Sequence, residues 1–198
     1  GSGKSTTLYS MLTAANDGNR KMITVEDPVE FQLQGITQIQ ARADIGYNFA
    51  RALRAILRQD PDVIMIGEIR DLETAQISIQ ASLTGHLVLS TLHTNDSAGA
   101  VTRLVVMGVE VFLIASSLEA VLAQRLVRRV CTQCKASYVP SDEVLAQVRI
   151  SRDSTGGQPF HYGRGCPTCS QSGYKGRMGI YEWLRMSEQL RDLVTRKA

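Results

Sequence analysis

The chain opens on a pattern suited to phosphate. Gly1-Ser2-Gly3-Lys4-Ser5-Thr6 is the second half of the loop G-x-x-x-x-G-K-[ST]. Glycines in such a loop let backbone N–H groups curl around phosphate oxygens, and the helix that follows points its positive end at them. The Lys4 ammonium is then expected to reach the β- and γ-phosphates, with the Ser5 hydroxyl in a Mg²⁺ coordination position. A Gly-Ser linker ahead of an ordinary helix is the plainer alternative. The motif's first glycine and the strand before it do not occur in the sequence, so the chain is expected to be a piece of something longer.

Carboxylates recur where strands should end. Val63-Ile64-Met65-Ile66-Gly67-Glu68 is an apolar run that delivers an acid to the edge where α/β sheets bind ligands. Gly67 stands where a Walker B strand usually carries a Mg²⁺-linked Asp, so Glu68 is the candidate to hold a metal-bound water or polarise the attacking one. In Val25-Glu26-Asp27-Pro28-Val29-Glu30, three carboxylates within five residues repel one another unless a cation or arginines offset them. A divalent metal site meets that need; a solvated acidic turn is the alternative. His93, in Ser90-Thr91-Leu92-His93-Thr94, sits at another strand end and is a candidate contact for a γ-phosphate, whereas His86 reads as structural. Arg51, Arg54 and Arg58 share one helix face, either as a solvated stripe or as cationic support for phosphoryl transfer.

A different chemistry follows. Cys131-Thr132-Gln133-Cys134 and Cys166-Pro167-Thr168-Cys169 form two C-x₂-C pairs with 31 residues between them. Each pair can present two thiolates to one tetrahedral ion, and with all four positions filled by sulfur the expected Zn²⁺ site is closed and structural.

The elements that must position these groups follow from the pattern. Strands are expected at Met22–Val25, Val63–Ile66 and Leu87–Thr91, alternating with helices at Phe49–Arg58, Leu72–Leu83 and Ala98–Met107. Such alternation implies a mostly parallel sheet flanked by helices. Residues 131–179 hold all four cysteines and three of the five prolines, which suits a small loop-rich module. Residues 180–198 return to helical spacing, with Leu184, Leu190 and Val194 on one side. At 43% hydrophobic and 21% charged residues the chain can build a core, and no apolar run approaches the ~20 residues of a membrane helix. No transmembrane segment is therefore expected. Residues 1–130 carry 12 Lys and Arg against 13 Asp and Glu, residues 131–198 carry 10 against 6, and a zinc–thiolate site would lower the latter's net charge to about +2. With 6% aromatic residues as well, no nucleic-acid partner is expected. Few cysteines and no leader-type apolar segment point to a reducing compartment.

Together these segments resemble the secretion ATPase superfamily that powers type II secretion and type IV pilus assembly. The stretches that carry the resemblance are VEDPVE (residues 25–30), LRAILRQDPDVIMIGEIRDLE (53–73), TGHLVLSTLHTN (84–95), QRLVRR (124–129) and the closing GYKGRMGIYE (173–182). The chain is most similar to the type II secretion (GspE-like) branch: pilus retraction ATPases lack the four-cysteine module, and the pilus extension ATPase, which carries it, is the alternative. The resemblance implies an α/β fold: a RecA-like P-loop NTPase core over residues 1–130, a zinc module over 131–179 and a helical segment over 180–198. It also implies ATP hydrolysis with Mg²⁺ between subunits of a homo-hexamer, working in the cytoplasm against inner-membrane platform proteins that assemble pseudopilins. By position, Glu30 matches the acid that activates water, Glu68 the Walker B acid and His93 the γ-phosphate contact. Asp27 and Arg54 join Gly1 through Thr6 as nucleotide-binding candidates. The family's further arginines come from an N-terminal domain that this sequence does not contain, so slow hydrolysis is expected of the chain alone. Two readings from other classes stand beside this one: a RecA-like nucleic-acid motor with a zinc ribbon, and a non-enzymatic zinc-bearing docking module.

Overall fold

A computed structural model describes residues 2–196. The chain divides into two compact units, Gly1–Gln124 with Tyr181–Ala198 and Arg125–Ile180.

The first unit is built on strands β1 (Met22–Glu26), β2 (Thr37–Gln40), β3 (Val63–Ile66) and β4 (Leu87–Ser90), all parallel in the order β2-β1-β3-β4. β1 and β3 are buried along their whole length because they lie in the middle of the sheet with helices on both faces. Alternation then sorts their side chains. Ile23, Val25, Ile64 and Ile66 meet Phe49, Leu53 and Ile56 of helix α2 (Phe49–Ile56) and Ile77 of α3 (Leu72–Leu83). Met22, Val63 and Met65 meet Leu8, Tyr9 and Leu12 of α1 (Lys4–Ala15) on the other face. A third cluster joins α3 to α4 (Ala98–Val106) and α5 (Val111–Ser117) through Ala75, Ile79, Leu104 and Ile114. Asn48 and Asp71 cap α2 and α3, accepting from the Arg51 and Thr74 amides at 2.9 and 2.8 Å.

The expected strands and the α3 helix stand where the pattern puts them, and the helix from Phe49 tightens into a 3₁₀ turn at Leu57–Gln59 before Pro61. The segment after residue 179 differs from expectation. Its first part continues a long strand, β8 (Tyr174–Arg185), paired with β5 (Ala120–Val130), and helix α7 spans only Glu188–Arg196. Leu184 thus lies on a strand, and a helical period read across a strand–helix junction misplaces it. α7 packs on α5, with Arg191 donating to the Ala115 carbonyl and pairing with Glu119 at 2.9 Å. The division between the units falls inside β5 and β8, after Gln124 and after Ile180.

In the second unit, β6 (Lys135–Tyr138) pairs antiparallel with β7 (Phe160–Gly163), and α6 (Asp142–Gln147) lies between them in sequence. Its buried residues, among those described, are Cys131, Pro140, Leu145, Cys169 and Gly173. That is too little to hold a fold by burial alone. Backbones approach closely instead: a Cβ on Gly163 would collide with the Gly173 backbone. No helix among the described residues is long and apolar enough to cross a membrane.

Candidate functional site

Helix α1 begins on Gly3, which holds φ at 83°, a left-handed conformation that glycine adopts without strain. No side chain caps this end, and its first turn carries no acid. The unsatisfied N–H groups of the first turn, with the positive end of the helix dipole behind them, therefore face an opening rather than a protein acceptor.

The loops leaving β1, β3 and β4 come to the same opening. Register puts Val25 beside Ile66 and Ile66 beside Ser90, so the chain exits all three strands at one level. Side chains then tie the exits together: Ser90 and Thr91 hydroxyls donate to the Ile66 and Gly67 carbonyls at 2.9 and 2.7 Å. One cleft results, and Lys4, Ser5, Asp27, Glu30, Glu68 and His93 all line it. Lys4 Nζ donates to the Leu92 carbonyl at 3.4 Å.

Glu68 is the most constrained of these. Its side chain is 14% exposed, one carboxylate oxygen pairs with the Arg70 guanidinium, and the other lies 2.8 Å from His93 Nε2. Burial alone raises the Glu68 carboxyl, but the bonds from Arg70 and His93 outweigh it and hold the group below the usual range.

Glu26 departs from the expected acidic cluster. Only 4% exposed, it turns inward beneath α1 because alternate residues of β1 face that helix. There it accepts from Thr24 Oγ1 at 2.6 Å, from Gln38 Nε2 at 3.1 Å and from the Tyr9 hydroxyl. Hydrogen bonds thus offset this carboxylate at the cleft floor, and it lines the cleft together with Asp27 and Glu30. Burial, and then the bond to Glu26, push the Tyr9 phenol up to about 12.

Other candidates lie elsewhere. Ser2, Gly3 and Thr6 adjoin the cleft in sequence without lining it, and Gly1 lies outside the described residues. Arg54 does not line the cleft: it pairs with Glu73 at 2.6 Å, both more than half exposed, because the α2 face that carries it points away from the sheet. The arginine that does touch a site acid is Arg70, which the sequence reading passed over although it stands two residues from Glu68. Tyr9 was missed as well; its signal is the spacing of four from Ser5. His86 binds the Ala81 carbonyl at 2.9 Å through Nδ1 at the end of α3, a structural role as expected.

In the second unit the four cysteine sulfurs all lie within 4.8 Å of one another. Cys131–Cys166, Cys134–Cys169 and Cys166–Cys169 are separated by 3.9, 3.8 and 3.7 Å. A disulfide needs ~2.05 Å, whereas thiolates ~2.3 Å from one tetrahedral ion stand ~3.8 Å apart. Burial raises the Cys169 thiol, but N–H groups of Cys166 and Gly173 and the neighbouring sulfurs overcome it, bringing it down to about 6.

Residues 1–198 match the family described as type II/IV secretion system protein. The chain belongs to that family. It is 56% identical over 194 residues to type II secretion system protein E of Pseudomonas aeruginosa, covering 98% of this chain and 38% of that protein. To the type II secretion system ATPase E of Vibrio cholerae it is 56% identical over 200 residues, covering 100% of this chain and 39% of the relative. The chain thus spans about two fifths of the length of the curated relatives it matches. Among solved structures, the pilus retraction motor PilT with bound ADP covers all of this chain and 48% of its own, at 29% identity and a TM-score of 0.68. The Legionella pneumophila ATPase DotB covers all of this chain and 49% of its own, at 27% identity and a TM-score of 0.66. The α/β RecA-like core is the one the resemblance implied, and in this chain a cluster of four cysteines accompanies it.

The Glu68 geometry has a measurable consequence. A carboxyl held below its unfolded value of 4.5 contributes stability at neutral pH that is lost as the pH falls through its folded value. Arg70→Ala should raise the Glu68 carboxyl in an NMR titration of side-chain carboxyl carbons; an unmoved titration would show that the pair does not set it.

Proposed function

We propose that this chain is the nucleotide-hydrolysing part of a motor subunit that powers type II protein secretion. The observation that carries the reading is the meeting of Lys4, Ser5, Asp27, Glu30, Glu68 and His93 in one cleft, at the strand exits and the uncapped start of α1. Identities of 52 to 58% to proteins named for type II secretion support that branch over the pilus retraction motor at 29%. The ADP bound to PilT supports a nucleotide as the cleft's occupant.

The first-turn amides of α1 and the Lys4 ammonium would hold the phosphates, where charge builds as the terminal bond breaks. The Ser5 hydroxyl and the Asp27 carboxylate offer oxygen donors, the hard kind that Mg²⁺ takes. When bound, such an ion neutralises charge on the β- and γ-phosphate oxygens. Glu30 would take up the proton of the attacking water. Glu68, steadied by Arg70, would orient a metal-bound water, and the His93 ring would meet the terminal phosphate. In a homo-hexamer on the cytoplasmic face of the inner membrane, opening and closing of such clefts would move platform proteins that assemble pseudopilins.

The four-cysteine cluster we assign to a structural Zn²⁺, which supplies the second unit with the cohesion its small core lacks. Its sulfur spacing fits a closed tetrahedral site.

In the full-length protein, Lys4→Ala should lower ATP turnover at least about a hundredfold, since one charge-stabilising donor is worth that much. Unchanged turnover would refute the hydrolytic reading. Metal analysis of protein purified under reducing conditions should find about one zinc per chain. Cys166→Ser should release that zinc and expose the segment around residues 131–170 to protease. A parent protein without zinc would remove the assignment.

A further inference from the structure

The acid that the proposed reaction assigns to water stands on a segment with no regular structure, between β1 and β2. What holds this segment is a polar knot under α1. Tyr9 follows Ser5 by one helical turn, so both hydroxyls project from the same face of α1. The Tyr9 ring is 3% exposed and meets Phe31 edge-on, with ring centres 4.6 Å apart. Its hydroxyl donates to Glu26 and accepts from the Glu30 amide at 3.2 Å and from Gln38 Nε2 at 3.4 Å. Gln38 closes the segment from the β2 side, accepting from the Leu33 amide at 2.6 Å and donating to the Phe31 carbonyl at 3.2 Å.

A phenylalanine at position 9 would fill the same space and keep the ring contact with Phe31. The hydroxyl alone adds a fixed span from the phosphate end of α1 to the backbone of Glu30. Its geometry is pinned because its donor is committed to Glu26, itself anchored by Thr24.

We infer that Tyr9 is a positioning residue: its hydroxyl, braced on Glu26, sets where Glu30 stands relative to Lys4 and Ser5. This rests on the reading of the cleft as the site of ATP hydrolysis. Tyr9 lines the cleft, but its hydroxyl is engaged by Glu26, Gln38 and the Glu30 amide, so it acts through the Glu30 amide. Since ~1 Å of misplacement can cost two orders of magnitude in rate, the effect falls on turnover rather than on nucleotide binding.

The test is Tyr9→Phe in the full-length protein, assayed beside Lys4→Ala. Tyr9→Phe should lower kcat about ten- to a hundredfold while KM for ATP stays within about twofold. Hydrogen–deuterium exchange should quicken in the peptide containing Glu30 and stay unchanged in the peptide containing β3. Parental kcat in Tyr9→Phe, beside an inactive Lys4→Ala, overturns the positioning role and leaves the hydrolytic reading standing. A fall in kcat with equal loosening of β3 also overturns it, because Tyr9 would then serve stability alone. Full turnover in Lys4→Ala overturns both.

Discussion

In a parallel sheet every strand exits on the same edge, and the rest of this molecule is arranged around that constraint. β1, β3 and β4 leave the sheet at one level, so the acids and the histidine that follow them meet without any long-range folding of loops. The uncapped start of α1 supplies the opposite polarity at the same edge. Carboxylates and an ammonium are thereby held close in a cleft where each alone would be poorly compensated. The two central strands are buried at every position, and the polar residues of β1, Thr24 and Glu26, pair with each other there.

The second unit solves the reverse problem. It has little apolar mass to bury; its four sulfurs converge on one point and its backbones approach closely at Gly163 and Gly173. Chemistry at one point replaces packing over an area. Three of its aromatic residues, Tyr138, Phe160 and Tyr162, meet edge-to-face along the β6–β7 pair and stiffen it, while the Arg128 guanidinium lies over a fourth, Tyr174.

The parts most legible in the sequence were those with a local signature. The buried runs of β1 and β3 read plainly because nothing polar interrupts them before Thr24 and the closing acids, and α3 carries its own cap at Asp71. The cysteine pairs announced a four-sulfur cluster for the same reason. β2 was not foreseen: Thr37-Gln38-Ile39-Gln40 is a half-exposed edge strand, and the role of Gln38 depends on partners in α1 and β1 that no local pattern discloses. Glu26 misled for a related reason. A run of three acids suggests shared exposure, but strand alternation sends one of them under α1, where hydroxyls and an amide group compensate it. Arg54 and Arg70 were exchanged in importance because helical spacing ranks a stripe by regularity, whereas contact with Glu68 depends on the turn after β3.

The proposed function requires a nucleoside triphosphate at the strand exits, between the start of α1 and the acids. A crystal structure of the full-length protein with Mg²⁺ and a non-hydrolysable ATP analogue tests it most directly. The terminal phosphate should stand within hydrogen-bond reach of Lys4 Nζ, with the ion on Ser5 and Glu30 and Glu68 facing it. Nucleotide density at any other place, with this cleft holding only solvent, would contradict the account.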